Sequence, residues 1–285
     1  MHSRNLHKDS AYDFEKLSDA NPDLKAFTFK NEYQNTTIDF GNPKAVVALN
    51  KALLIAHYNV SNWELPEGYL CPPIPSRVDY IHHIADIVTE KQEIKGLDIG
   101  VGANTIYCIL GSQVYNWKMI GCDINAESIK IAQKNIDFTP KLKKNVSLIH
   151  QSNNANIFEG VINVNDYFDF SVCNPPFHNS ENEAKKGTLR KLNNLNKKDF
   201  ELNFGGQANE LWCNGGEALF LKRMIKQSTL FKNQVGYFTS LVSKKEHLPK
   251  LEKQLSKLKA KYRVIPMQHG NKITRILAWS YIKNF

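Results

Sequence analysis

Between Asn42 and Val60 the apolar positions Val46, Leu49, Leu53 and Ala56 return every three or four residues, the spacing of one helix face. The stretch PEGYLCPPIPSR, residues 66–77, is too rich in proline for a helix. A second helix, SRVDYIHHIADIVTE, is expected to start at Ser76, a residue type suited to an N-cap. Residues 1–92 therefore read as a mostly helical N-terminal region. From about residue 94 the pattern changes. Short apolar runs stand at 96–100, 118–124, 145–150, 168–173, 234–242, 262–268 and 275–282, with helical segments at 126–137, 215–231 and 246–260. Such alternation predicts an α/β domain over residues 93–285, built on a mostly parallel seven-stranded sheet covered on both faces. The last two runs leave no room for a crossover helix, so they should pair antiparallel at one edge.

Bulk properties narrow the picture. With 285 residues the chain fits one large domain plus an extension. A mean hydropathy of −0.43 goes with the lack of any apolar run of about 18 residues, so no membrane partner is expected. MHSRNLHKDSAYDF has no apolar core of a secretory leader, and a cytoplasmic location is expected. The five cysteines show no CxxC pair and no zinc-ligand spacing, so no metal is expected. Cys108, Cys122 and Cys173 sit inside apolar runs and read as small core residues. The net charge of +9 favours a polyanionic partner such as nucleic acid.

Two sequences carry candidate chemistry. In GLDIGVGANTIYCILG, residues 96–111, a strand passes through a glycine turn into a helix. Gly100 and Gly102 let the backbone approach a ligand without a Cβ in the way. A dinucleotide fingerprint would need a third glycine where Thr105 stands. An S-adenosylmethionine site needs no pyrophosphate cradle and tolerates this sequence. Asp123 ends the next strand about 20 residues on, placed to accept both ribose hydroxyls; its other reading is the N-cap of the 126–137 helix. Asp98 either touches the cofactor or braces the turn. Asn153, in HQSNNAN after the third strand, is either a residue of a plain polar loop or the contact to the cofactor's adenine that methyltransferases with this strand pattern make there. A parallel sheet with one antiparallel edge hairpin is the Rossmann-like plan of class I methyltransferases that use S-adenosylmethionine.

The fourth strand of the domain, FDFSVC, breaks off at Asn174-Pro175-Pro176-Phe177. An exocyclic amine on a nucleobase is a poor nucleophile because its lone pair is delocalised into the ring. Two acceptors, the Asn174 side-chain oxygen and the Pro175 carbonyl, could hold such an amine by its two N–H bonds. The prolines fix φ near −65° and stiffen the fork, while Phe177 offers a face on which a base stacks, worth about 1–3 kcal/mol. The alternative is an ordinary strand-ending turn. The Asn- and Lys-rich stretch 178–209 follows directly and reads as a long substrate loop, with Lys185, Lys186, Arg190 and Lys191 as phosphate contacts. Trp212, in GGQANELWCNGGE, is either a stacking platform or plain core, and MHSRNLHK forms a second basic arm.

LHKDSAYDFEKL, NPKAVVALNKALL, LCPPIPSRVDYIHHIAD, LDIGVGANTIY, CNPPFHNS, LNFGGQANELWCNGGE, FTSLVSK and ILAWSY together span nearly the whole chain. In these segments the chain resembles the bacterial large-subunit methyltransferases that act on adenine N6 of 23S ribosomal RNA. It is also similar to the eukaryotic N6-adenine methyltransferases of small nuclear and messenger RNA hairpins. The resemblance implies S-adenosylmethionine as cofactor and 23S ribosomal RNA as partner, free or in an assembling particle; separately, a monomer is expected. It further implies that Arg77, Gly100, Asp123, Asn153 and Asn174 contact the cofactor or the reaction centre. Arg77 would clamp the methionine carboxylate. Asn-Pro-Pro-Phe-His, completed here by His178, also occurs in guanine-N2 ribosomal RNA methyltransferases, and Asn-Pro-Pro-Phe/Tyr serves enzymes that methylate protein glutamine; both stay open as alternatives.

Overall fold

A computed structural model describes residues 1–8, 11–88, 91–176, 215–269 and 272–285. Seven strands form the main sheet: β3 (Lys95–Ile99), β4 (Lys118–Asp123), β5 (Val146–His150), β6 (Phe168–Cys173), β7 (Val235–Val242), β8 (Lys261–His269) and β9 (Lys272–Ser280). Their order is β5-β4-β3-β6-β7-β9-β8. The first five are parallel, and β9 runs antiparallel to both β7 and β8, which is the edge expected from the missing crossover. From β3 the chain moves outward to β4 and β5, then returns to place β6 on the other side of β3. That reversal makes the C-terminal ends of β3 and β6 the switch point of the sheet, where ligands of open α/β sheets bind.

Central strands read as continuous apolar runs because helices cover both faces. Tyr237, Leu241 and Ile276 belong to one core, which they share with α3 (Ile74–Ile87) and α4 (Ile106–Tyr115). Phe238, Val242 and Leu277 belong to the other, under α7 (Gly216–Ser228) and α8 (Leu248–Lys257). The first core extends without a break into the N-terminal helices α1 (Phe14–Ala20) and α2 (Pro43–Tyr58), through Phe14, Leu17, Leu49 and Leu53. The remaining helices are α5 (Ala126–Asp137) and α6 (Pro140–Asn145).

The N-terminal region, expected to be mostly helical, also holds two short strands. Thr28–Lys30 (β1) and Thr36–Ile38 (β2) pair as a short antiparallel hairpin, and three residues are too few for any alternation to register in the sequence. Ser76 is not the N-cap of α3. That helix starts two residues earlier, inside the proline-rich stretch, because the Pro73 carbonyl accepts from both Ser76 N and Arg77 N and proline suits a first helical turn. Among the described residues no helix is long and apolar enough to cross a membrane.

Candidate active site

Pairing across the sheet brings the distant motifs together. Ile99 of β3 lies opposite Cys173 of β6 and Cys122 of β4, and Cys122 lies opposite Ile149 of β5. One residue further along each strand come Gly100, Asn174, Asp123 and His150, so four separate segments leave the sheet along a single line. Two cysteines of these strands, Cys122 and Cys173, are buried directly beneath that line. A cavity of about 220 Å³ opens above it, and its wall includes Arg77, Gly100, Gly102, Asp123, Asn174 and Pro175.

The glycine turn is shaped by its backbone. Gly100 and Val101 both donate to Cys122 O at 2.9 Å, and Gly100 has φ +76°, a conformation that disfavours any Cβ. A Cβ built on Gly100 meets no atom within 4 Å, so this turn faces open space. Asp123 holds the next step: its Oδ2 accepts from Gly102 N and its Oδ1 from Asn125 N, both at 2.9 Å. Burial raises the Asp123 pKa, while the amide hydrogens of Asn125 and Gly102 oppose that rise. Asp123 is not the cap of α5. Asn125 has that role, accepting from Glu127 N and Ser128 N.

Asp98 lies under the turn rather than on the cavity wall. It is 1% exposed, its Oδ1 has no hydrogen-bond partner, and its Oδ2 meets only the Cys108 thiol at 3.8 Å. Burial and then the nearby Asp123 carboxylate push its pKa up to about 8, against the pull of Cys108 and Arg77. Arg77, from the first turns of α3, is buried on the wall with its guanidinium 5.8 Å from the centre of the Tyr107 ring. Among the described residues no carboxylate lies within ion-pair distance of it. Asn174 Oδ1 is also buried without a hydrogen-bond partner.

Asn153 is placed differently from its expected contact. It is exposed and does not line the cavity; its side chain accepts from Ala155 N at 2.9 Å, closing a turn on itself. Gln151, Asn154, Asn156 and Ile157 around it reach the cavity instead. Phe177, Lys185, Lys186, Arg190, Lys191 and Trp212, and with them the 178–209 loop, lie outside the described residues. In the N-terminal arm, His2 and Arg4 are spent on Asp86 and His7 is buried against Tyr58. His2, His83 and Asp86 crowd together, but Arg4 N donates to His2 Nδ1 at 3.1 Å. With Nδ1 accepting, the proton of the neutral His2 ring sits on Nε2, which donates to Asp86 Oδ2 at 2.8 Å.

Other wall residues carried no local signal in the sequence. Leu70 and Pro72 arrive from the proline-rich segment, which is strapped to the turn. Trp63 Nε1 donates to Asn104 O at 3.0 Å, Asn104 Nδ2 to Leu70 O at 3.3 Å, and Asn135 Nδ2 to Glu64 O at 2.9 Å. Phe220 and Arg223 enter from α7.

A family model described as RNA methyltransferase matches residues 1–283. The chain belongs to this family. The ribosomal RNA large subunit methyltransferase F of Christiangramia forsetii is 59% identical over 99% of this chain and 100% of its own length. Its counterpart in Flavobacterium psychrophilum is 48% identical over 99% of this chain and 93% of that protein. Among solved structures, the catalytic domain of human METTL16 in complex with the MAT2A 3′UTR hairpin 1 superposes with a TM-score of 0.86 at 27% identity, covering 100% of this chain and 96% of that one. The N-terminal domain of human METTL16 in complex with SAH gives 0.81 at 25% identity, covering 99% of each chain. Both the class I methyltransferase fold and membership among RNA methyltransferases thus follow for this protein.

Proposed function

We propose that this RNA methyltransferase transfers the methyl group of S-adenosylmethionine to N6 of a specific adenine in 23S ribosomal RNA. The residues at the cavity fit that cofactor. Arg77 is a buried cation without a carboxylate partner, suited to the methionine carboxylate. Asp123 keeps lone pairs for ribose hydroxyls, and the space over Gly100 is open. Ile124, Ile157 and Phe220 supply apolar wall for a flat base. Bound there, S-adenosylmethionine supplies an electrophilic methyl group on a positively charged sulfur.

The observation that carries the reading is the bare Asn174 Oδ1, buried on the cavity wall one residue beyond the Ile99–Cys173 pair. An unsatisfied buried acceptor is costly unless a partner arrives. An exocyclic amine supplies two N–H bonds, one for Asn174 Oδ1 and one for the Pro175 carbonyl. Held by both, the nitrogen is fixed in position and direction, which is where most of the rate gain for such a transfer comes from. The adenine must leave its stack to reach this depth. The 59% identical ribosomal RNA methyltransferase, matched end to end, supports a ribosomal substrate.

Mapping modified nucleotides in 23S ribosomal RNA from cells with and without the gene tests the proposal. Loss of N6-methyladenine at one position, restored by the wild-type chain, is expected. Loss of N2-methylguanine, or of methylated glutamine in a protein, would replace it with one of the two alternatives.

A further inference from the structure

Four hydrogen bonds tie α7 to the loop that follows β5. Arg223 Nη2 donates to Ala155 O at 2.9 Å and to Asn154 O at 3.4 Å. Gln227 Nε2 donates to the same Ala155 O at 2.8 Å, and Gln227 Oε1 accepts from Ile157 N at 2.7 Å. Phe220, Arg223 and Gln227 stand three and four residues apart and so share one helix face. The loop has no strand or helix of its own between Gln151 and Ile157, yet three of its residues besides Gln151 reach the cavity. Among the described residues its other side-chain ties are short-range: Gln151 Oε1 accepts from Asn153 N at 3.0 Å, Gln151 Nε2 donates to Glu159 O at 2.7 Å, and Asn153 Oδ1 accepts from Ala155 N at 2.9 Å.

Position along the cavity assigns this loop an end of the ligand. The reacting methyl must sit beside Asn174 at the end of β6. Asp123, at the end of β4, takes the ribose. The base then lies beyond Asp123, at the end of β5, where the loop is. Resting on the cofactor reading above, we propose that Arg223 and Gln227 are positioning residues for adenine: they hold the 154–157 backbone in the shape that the base must meet. Neither is proposed to act on the amine that is methylated. A loop left to itself would sample many conformations, and binding would have to order it each time.

Isothermal titration of the full chain with S-adenosylmethionine and with 5′-methylthioadenosine, which lacks the amino acid portion, tests this. Gln227→Ala and Arg223→Ala should each weaken both ligands by the same factor, about tenfold, as expected for hydrogen bonds that hold a loop. Arg223→Lys, which keeps a cation but loses the planar fork, should fall between wild type and Arg223→Ala. Arg77→Ala, at the other end, should weaken S-adenosylmethionine alone. In turnover at saturating S-adenosylmethionine, the Gln227→Ala and Arg223→Ala variants should recover most of the wild-type kcat and carry their defect in KM. Wild-type affinity for both ligands in Gln227→Ala and Arg223→Ala would overturn the inference, as would a loss confined to S-adenosylmethionine. Failure of the wild-type chain to bind either ligand would overturn the cofactor reading itself, a different outcome. Thermal melts matching wild type within a few degrees identify the loss as local to the loop; a variant that melts early is replaced by Gln227→Glu, which keeps the acceptor for Ile157 N and loses the donor to Ala155 O.

Discussion

Gly102 donates its amide hydrogen to Asp123 Oδ2 at 2.9 Å, so a single carboxylate braces the glycine turn and also faces the cavity. Asn125 N occupies one lone pair of the other oxygen. A carboxylate offers about four acceptor positions, so Asp123 keeps capacity for a ligand. Asp123→Asn exchanges one acceptor for a donor and removes the charge from both bonds. Its affinity for S-adenosylmethionine is expected to fall about 10- to 100-fold, the range for hydrogen bonds to a charged group. Titration calorimetry checks this, and an unchanged affinity would take the carboxylate out of the site.

Asn174→Ala removes one arm of the fork and leaves the glycine turn and Asp123 untouched. The expected result is a loss of about 10²–10³ in single-turnover rate, the scale for removing one preorganised hydrogen-bonding group, with S-adenosylmethionine affinity held within about threefold. Labelled methyl transfer to ribosomal RNA reads the first quantity and calorimetry the second. A variant as fast as wild type would exclude the fork as the amine's holder.

Two glycines separate binding from stability. At Gly100 an added Cβ meets no protein atom within 4 Å, but φ is +76°. Gly100→Ala should therefore cost about 1–2 kcal/mol of stability and weaken cofactor binding as well. At Gly236 the added Cβ would stand 2.5 Å from the Asp169 carbonyl oxygen, an atom of the backbone. Gly236→Ala should cost about 1–3 kcal/mol or more from overpacking, with cofactor affinity retained by the folded fraction. Denaturant unfolding and calorimetry on the two variants provide the comparison.

Stability of the ligand-free chain should depend on pH through Asp98. Its folded pKa is raised from the usual 3.8 to about 8 by burial and by Asp123. The folded chain holds this proton more tightly than the unfolded one, so the contribution is complete below pH 3.8 and fades as pH rises through about 8. Asp98→Asn is neutral at every pH and should flatten the melting-temperature profile across that window, with a gain over wild type at the alkaline end. Thermal melts in a pH series decide it; parallel slopes for the two chains would assign the dependence elsewhere.

Much of the architecture was legible before folding. Seven apolar runs became seven strands, because strands buried on both faces must be apolar throughout, and the missing crossover gave away the antiparallel edge. The hairpin of β1 and β2 was not legible, since pairing across it is a non-local fact about three residues per strand. Nor was the start of α3 inside a proline-rich stretch, where carbonyl acceptance at Pro73 outweighed the preference for a serine cap. In the site, glycines with positive φ and an Asn-Pro-Pro strand end are local statements that a sequence can make. Asn153 shows the limit: its residue type suits a contact, but the fold leaves it exposed and off the cavity wall.

By itself, then, the order of residues determined which segments become strands and which motifs end them, because hydrophobic period and backbone restriction act over a few residues. Only the tertiary structure decided that Gly100, Asp123 and Asn174 leave the sheet on one line, since that depends on which residue of β3 faces which residue of β4 and β6. It also decided that Leu70, Pro72 and Arg223 share a wall with them. Those residues come from elements far apart in the chain, and packing across the two cores, with no local rule, brings them to the same cavity.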